Sequence, residues 1–133
     1  MTRVLVLGGT VWLGARVARA RRERGAEVVC LARGSSGGAP PGVRLIRADR
    51  MLPSAYEEVA GPWDEVIELS YAPNLVNGAL RALSHNAGHW TLVSSVSVYA
   101  RSDEPGADES ADLVEPHDLS QYPDAKVAAE RAT

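Results

Sequence analysis

Residues 3–14 of the chain read RVLVLGGTVWLG, and this stretch is the strongest indication of the fold class. The unbroken apolar run at Arg3–Leu7 predicts a β-strand that is buried on both faces. It ends at Gly8 and Gly9, and a helical pattern follows over Trp12–Arg24. A strand that turns through glycines into a helix directs free N–H groups and the positive end of the helix dipole at an anion such as a diphosphate. The turn therefore predicts dinucleotide binding, with a purely structural turn as the alternative.

The rest of the chain alternates strand and helix patterns, and Gly25 ends the first helix. Further strands are expected at Glu27–Leu31, Val43–Arg47, Asp64–Leu69 and Trp90–Ser94. Helices are expected at Pro53–Ala60, at Leu75–Asn86 with Asn74 as its cap, and from Pro123 to the end; residues 34–42 and 101–119 are expected to be loops. This alternation predicts a doubly wound α/β, Rossmann-type fold with a parallel sheet of about five strands in the order 3-2-1-4-5. The ligand crevice is expected between strands 1 and 4.

Composition limits the class of protein. The chain has 133 residues, 45% hydrophobic and 23% charged, which suits one globular domain. A single cysteine excludes a disulfide framework, and no apolar run is long enough to span a bilayer. The amino end has no secretory leader pattern, so a cytoplasmic location without a membrane partner is expected. His85 and His89 have no further ligand cluster nearby, so no metal site is expected.

The glycine turn resembles that of the extended and atypical short-chain dehydrogenase/reductase superfamily, in its NAD-dependent epimerase/dehydratase group. The fingerprint of that group is G-x-x-G-x-x-G; Gly8 and Gly14 match it, and Val11 stands where the middle glycine is usual. The resemblance covers the N-terminal portion of a family member. It implies that residues 1–133 are an NAD(P)-binding Rossmann domain, incomplete at the C-terminus and without the substrate domain. It places these residues at the cofactor: Gly8, Thr10, Val11, Trp12, Leu13 and Gly14.

The end of the second strand bears on the choice of nucleotide. An acidic residue there would favour NAD, but the sequence reads Ala32-Arg33-Gly34, and an Arg33 guanidinium suits a 2′-phosphate. NADP is therefore slightly preferred to NAD. Asp49 matches the family position near the adenine amino group, with a turn cap as the alternative. Leu69 and Ser70 end the fourth strand, where family members line the cofactor.

The resemblance also implies a catalytic constellation. Residues 93–99, VSSVSVY, resemble the family strand that carries the active-site serine, and the offset from Tyr99 assigns that role to Ser95. Tyr122 and Lys126 supply the family's Y-x-x-x-K acid/base pair. Positions i and i+4 share a helix face, so the lysine ammonium can favour the phenolate form of the tyrosine. A surface tyrosine with a solvated lysine is the alternative.

Together these features imply the NAD(P)-binding portion of an epimerase/dehydratase-type oxidoreductase, with a nucleotide sugar as one candidate substrate. Weak or absent turnover is expected of this chain alone. The alternatives are a non-catalytic NADP-sensing or RNA-binding module and an inactive fragment. Residues 1–50 carry a net charge of +7 and residues 51–133 a net charge of -10, but the arginines of the first helix are expected to form its solvated face rather than a nucleic-acid site. The fifth strand is expected to lie at an open sheet edge, where a homo-oligomer could form.

Overall fold

The computed structural model describes residues 1–8 and 10–133; Gly9, part of the predicted glycine turn, lies outside the described residues. Five strands are present: β1 Arg3–Leu7, β2 Glu27–Ala32, β3 Arg44–Arg47, β4 Trp63–Glu68 and β5 Ala87–Leu92. The α-helices are α1 Trp12–Glu23, α2 Pro73–Leu83 and α3 Tyr122–Ala132, with short 3-10 helices at Pro53–Val59, Ser84–Asn86 and Val96–Val98. None of the helices in the described part of the chain combines the length and apolar character needed to cross a bilayer.

The sheet is parallel throughout and has the order β3-β2-β1-β4-β5, which confirms the predicted topology. In the centre of the sheet, Val6 of β1 pairs with Cys30 of β2 on one side and with Ile67 of β4 on the other. The chain order reverses at β1, since β2 and β3 lie to one side of it and β4 and β5 to the other. A crevice opens at such a reversal, because the loops that leave neighbouring strands diverge toward opposite faces.

Both faces of the sheet are buried, as the apolar run in β1 predicts. On the α1 face, alternate strand residues form a core with Ala18 of α1: Val4, Val6, Val28, Cys30 and Ile67. On the α2 face, the intervening strand residues form a second core with Tyr56, Ala79 and Leu83: Leu5, Leu7, Val29, Leu31, Ile46 and Val66. Because successive side chains of a strand point to opposite faces, one continuous apolar run supplies two cores.

The start of α2 and the bounds of β5 differ from the predicted ones. Helix α2 begins at Pro73 with Ala72 as its N-cap and no side-chain cap, so Asn74 lies inside the first turn rather than capping it. Proline can occupy that first position because the missing N–H would have no partner there. Strand β5 occupies Ala87–Leu92 rather than Trp90–Ser94. A Cβ at Gly88 would lie 3.0 Å from the Asp64 carbonyl oxygen, so the glycine lets β5 start close against β4.

The acidic segment 101–119 is a loop, as predicted, and its later part is fastened to neighbouring elements. The Val114 N–H donates to the Val98 carbonyl at 2.8 Å. The carboxylate of Asp124, in the first turn of α3, accepts the His117 N–H at 2.9 Å. These bonds fix the start of α3, where the predicted acid/base pair lies.

Candidate functional site

A crevice of about 580 Å³ opens at the carboxyl ends of β1, β2 and β4. Its walls come from the turn after β1, the turn after β2, the segment after β3, and the turn between β4 and α2. This is the position predicted from the strand order. The lining residues are Gly8, Thr10, Val11, Leu31, Ala32, Arg33, Gly34, Ser35, Ser36, Ala48, Asp49, Arg50, Met51, Leu69, Ser70, Tyr71, Ala72 and Leu75.

The first wall of the crevice is the glycine turn. Gly8 has φ +94°, a conformation that favours glycine, and its N–H donates to the Leu31 carbonyl at 3.0 Å. Val11 is the N-cap of α1 in an extended conformation, and its side chain makes no cap hydrogen bond. The first turn of α1 holds no acidic residue. The N-terminal N–H groups and the positive end of the helix dipole therefore remain available, which fits a bound diphosphate.

Val11 does not strain the turn. Its φ of -89° lies in a region that any residue can adopt, so the backbone does not require the glycine that is usual at this position. The side chain is 48% exposed and lines the crevice. The Val11 side chain therefore occupies space in the crevice above the N-terminus of α1, and its presence requires no change in the backbone.

The predicted cofactor residues divide into two groups. Those that line the crevice are Gly8, Thr10, Val11, Arg33, Asp49, Leu69 and Ser70. The other three lie within α1 and do not form its wall. Trp12 is exposed and lies with its ring 5.6 Å from the Arg16 guanidinium carbon, Leu13 is partly exposed, and Gly14 is buried.

The turn after β2 forms a basic and hydroxyl-rich end of the crevice. Arg33, Ser35 and Ser36 all line it. A Cβ at Gly34 would lie 3.1 Å from Nε of Arg47, so a second guanidinium lies beside this turn. Such a group of donors can hydrogen-bond an anionic oxygen.

Asp49 caps a turn and also lines the crevice. Its Oδ1 accepts the Met51 N–H at 2.9 Å, which is the turn-capping alternative. The residue also lines the crevice. Capping the turn and facing the crevice are therefore compatible at this position.

The three predicted catalytic residues come from two adjacent elements. Ser95 is the N-cap of Val96–Val98, where its Oγ lies 2.9 Å from the Ser97 Oγ and accepts the Ser97 N–H. Tyr122 is the first residue of α3, as its following proline predicts, and its ring meets the Tyr71 ring edge-on at 4.7 Å between centroids. Within the described residues, no hydrogen bond joins any two of the three predicted side chains.

Lys126 is almost fully buried, with 2% of its surface exposed. Its Nζ donates to the Val93 carbonyl at 2.5 Å and to the Ser70 carbonyl at 3.4 Å. Burial lowers the pKa of Lys126, and the charges of Glu68 and Glu130 oppose that change. The lysine therefore ties the end of β5 to the turn after β4, and the solvated-lysine alternative is wrong.

A buried ion pair at the floor of the crevice was not found by sequence reasoning. Arg50 donates to both carboxylate oxygens of Glu68, at 2.5 and 3.0 Å. Its remaining N–H groups donate to the Tyr56 hydroxyl, the Ser70 hydroxyl and the Leu75 carbonyl, at 3.0, 3.0 and 3.1 Å. All five guanidinium donors are thus used. A signal was present, since Glu68 is a charged residue in an otherwise buried strand end.

The electrostatics of the pair follow from its burial. Glu68 has no exposed surface and the Arg50 side chain is 7% exposed. Burial raises the pKa of Glu68, and the two hydrogen bonds and the charge of Arg50 work against that rise. The pair joins the segment after β3 to the end of β4 and to α2, and so fixes the shape of the crevice floor.

No protein-family model matches the chain, and no curated protein matches it. Solved structures do match. A UDP-galactose 4-epimerase aligns with a TM-score of 0.83 and 22% identity over 98% of this chain and 50% of its own. A dTDP-glucose 4,6-dehydratase from Bacillus anthracis, in complex with NAD, aligns with a TM-score of 0.80 and 13% identity over 99% and 49%. Vestitone reductase from alfalfa aligns with a TM-score of 0.70 and 22% identity over 99% and 51%.

These alignments establish the fold, which is the Rossmann-type fold found in these epimerases, dehydratases and reductases. The chain spans about half the length of the solved structures that it matches. At such identities the shared architecture does not carry the chemistry across, which has to be argued from the site.

Proposed function

We propose that residues 1–133 are the NAD(P)-binding domain of an epimerase/dehydratase-type oxidoreductase, whose substrate-binding residues lie largely outside this chain. The observation that carries the proposal is the crevice at the β1–β4 reversal, with a glycine turn and an uncapped helix N-terminus at one wall. The likeness to a dehydratase solved with NAD supports a nicotinamide dinucleotide as the ligand. The other domain would hold the substrate, and the chain alone is expected to turn over weakly or not at all.

In this proposal the bound dinucleotide supplies the group that accepts or donates hydride. Ser95 holds the substrate oxygen by a hydrogen bond, and Tyr122 passes a proton to or from that oxygen. Lys126 favours the phenolate of Tyr122 through its charge, because its own donors already engage main-chain carbonyls. A carbonyl or hydroxyl carbon of a nucleotide sugar is the proposed reacting centre, since several structural neighbours act on such sugars.

We propose further that NADP is preferred to NAD. Arg33, Ser35 and Ser36 line the crevice at the end of β2, and no acidic residue stands there to accept from a ribose hydroxyl. An arginine fork binds a phosphate with two parallel hydrogen bonds, so the 2′-phosphate of NADP would gain contacts that NAD lacks.

Titration calorimetry with NADPH and NADH tests both points. We expect NADPH to bind more tightly and Arg33→Ala to weaken NADPH by about tenfold, the loss of a charge-assisted hydrogen bond, with little change for NADH. Arg24→Ala is the matched control, because Arg24 is an exposed arginine at the opposite end of α1. Cooperatively folded protein that binds neither dinucleotide would overturn the proposed function. Equal losses for both dinucleotides in Arg33→Ala would overturn only the NADP preference.

A non-catalytic dinucleotide-binding role is the second candidate. It is favoured by Lys126, which bridges Val93 and Ser70, and by Tyr122, which packs against Tyr71. The two candidates differ in the effect of Tyr122→Phe in a protein that contains the chain and a substrate domain. Loss of turnover with unchanged NADPH affinity favours the oxidoreductase, whereas no turnover in either form favours the binding role.

Two further proposals concern the location of the protein in the cell and its self-association. We propose a cytoplasmic location. Self-association is proposed at β5, which within the described residues pairs with β4 on one side and has no strand on the other. Sedimentation of the chain over a range of concentrations measures that association.

A further inference from the structure

Within the described residues, Glu68 shares a strand end with two cationic side chains that have little exposed surface, Arg50 and Lys126. It ends β4, has no exposed surface, and is held by Arg50 through two hydrogen bonds. Helix α3 brings Lys126 to the same strand end, where its Nζ donates to the carbonyl of Ser70, two residues after Glu68. The negative charge of Glu68 raises the pKa of Lys126 against the lowering caused by burial. The mechanism described above makes no use of this carboxylate.

Ser70 connects the two cations through short contacts. The Arg50 Nη1 donates to the Ser70 hydroxyl at 3.0 Å, and the Lys126 Nζ donates to the Ser70 carbonyl at 3.4 Å. The main chain of Ser70 also forms a hydrogen bond with the Glu68 carboxylate. One turn, directly after β4, is therefore fixed from the arginine, the glutamate and the lysine at once.

The carboxylates that influence Lys126 come from β4 and from α3 itself. Glu68 approaches from β4, and Glu130 lies one helical turn further along α3. Glu130 already accepts the Ser94 hydroxyl at 2.5 Å, Arg50 is paired to Glu68, and Tyr122 lies one turn earlier on α3. A nearby negative charge stabilises an ammonium that is removed from water, and Glu68 is the fully buried carboxylate that supplies one.

We propose that Glu68 is a positioning residue for Lys126: with Arg50 it fixes the turn at Ser70, and its carboxylate keeps the buried ammonium charged. The catalytic meaning of this inference rests on the proposed function, because Lys126 has a chemical role only there. A neutral Lys126 would provide no positive charge to favour the Tyr122 phenolate.

The sequence offers a direct measurement, because Lys126 is the only lysine of the chain. Labelling with lysine enriched in 13C at Cε gives one side-chain resonance, whose titration by NMR follows Lys126 without turnover. In Glu68→Gln we expect the Lys126 midpoint to fall by about one pH unit, as a nearby opposite charge is removed. Glu65→Gln is the matched control, since it neutralises the other ion-paired glutamate of β4, and it should leave the midpoint within about 0.3 pH units.

The single variant Glu68→Gln leaves the buried Arg50 guanidinium without a charged partner, and this could prevent folding. The double variant Arg50→Gln with Glu68→Gln is therefore the second test. Replacing a buried ion pair as a unit is tolerated better than removing one partner. The Lys126 midpoint should fall here too, but by less than in Glu68→Gln, because the loss of the Arg50 charge offsets part of the loss of the Glu68 charge. Midpoints equal to the unaltered protein in the folded Glu68 variants would overturn the inference. NADPH calorimetry on the same samples reports separately on the proposed function, since the lysine titration needs no dinucleotide.

Discussion

The two faces of the sheet each carry one arginine–glutamate pair on β4, and the two pairs are built differently. On the α1 face, Arg21 reaches Glu65 through one bond of 2.8 Å, with side chains 36% and 15% exposed, and the Arg21 Nε is buried without a hydrogen-bond partner. On the α2 face, Arg50 uses all five donors around a fully buried Glu68. Burial, rather than residue type, therefore determines which of the two ion pairs shapes the crevice.

The two ion pairs lie on opposite faces because successive side chains of a β-strand alternate between the two faces of the sheet. Glu65 and Glu68 are three residues apart, so their side chains leave β4 on opposite faces. Glu68 is also the last residue of the strand, where the crevice opens, whereas Glu65 lies nearer the middle. The α2 face therefore positions the floor of the candidate site, and the α1 face holds α1 on the sheet.

The largest expected effect comes from breaking the buried pair. Arg50→Ala leaves Glu68 buried without its partner and should lower the free energy of unfolding by about 3–5 kcal/mol. Urea denaturation followed by circular dichroism measures the change. A double variant, Arg50→Met with Glu68→Met, should recover much of the loss because no uncompensated charge remains. A cost below about 1 kcal/mol for Arg50→Ala would mean that the pair behaves like a surface pair.

A smaller effect is expected on the α1 face at alkaline pH. Burial raises the pKa of the Cys30 thiol from 9.0 to about 11. The unfolded chain therefore loses this proton first, so the contribution to stability is complete below pH 9 and declines as pH rises toward 11. Its full size is roughly 2–3 kcal/mol. Unfolding curves of the protein and of Cys30→Ala, compared from pH 8 to pH 11, should converge as the pH rises. Parallel curves would contradict the prediction.

The smallest effect is expected for the partly exposed pair. Arg21→Ala should lower the free energy of unfolding by about 0.2–1 kcal/mol, because water and salt already screen the Arg21–Glu65 interaction. Urea denaturation at low and high salt measures it, and the difference from the unaltered protein should shrink at high salt. A loss as large as that of Arg50→Ala would remove the distinction between the two faces.

Much of the fold could be predicted from local patterns. The apolar run of β1, the glycine turn and the alternation of elements specify a parallel sheet and its order, because each right-handed crossover leaves few alternatives. Boundaries were less predictable where tertiary contacts set them. Ala87 belongs to β5 because it pairs with Trp63, and the close approach of Asp64 to Gly88 favours glycine there. Asn74 does not cap α2, because the helix already begins at Pro73.

The candidate site was predictable where a residue acts through its backbone or through a fixed offset. Gly8 and the turn that follows it are examples, as are Tyr122 and Lys126 at helical spacing. The partners of Lys126 could not be predicted, since Val93 and Ser70 lie 33 and 56 residues earlier in the chain. NADPH calorimetry tests the proposed function, and the titration of Lys126 tests the role of Glu68.

Local sequence specifies the alternation of strands and helices, the glycine turn and the lysine four residues after a tyrosine. The meeting of Arg50, Glu68 and Lys126 at the turn after β4 depends on the folded arrangement of distant segments. Periodicity and turn chemistry act between neighbours, so the local sequence records them. The pairing of buried charges depends on which distant segments the sheet order brings together, and on how little water remains between them.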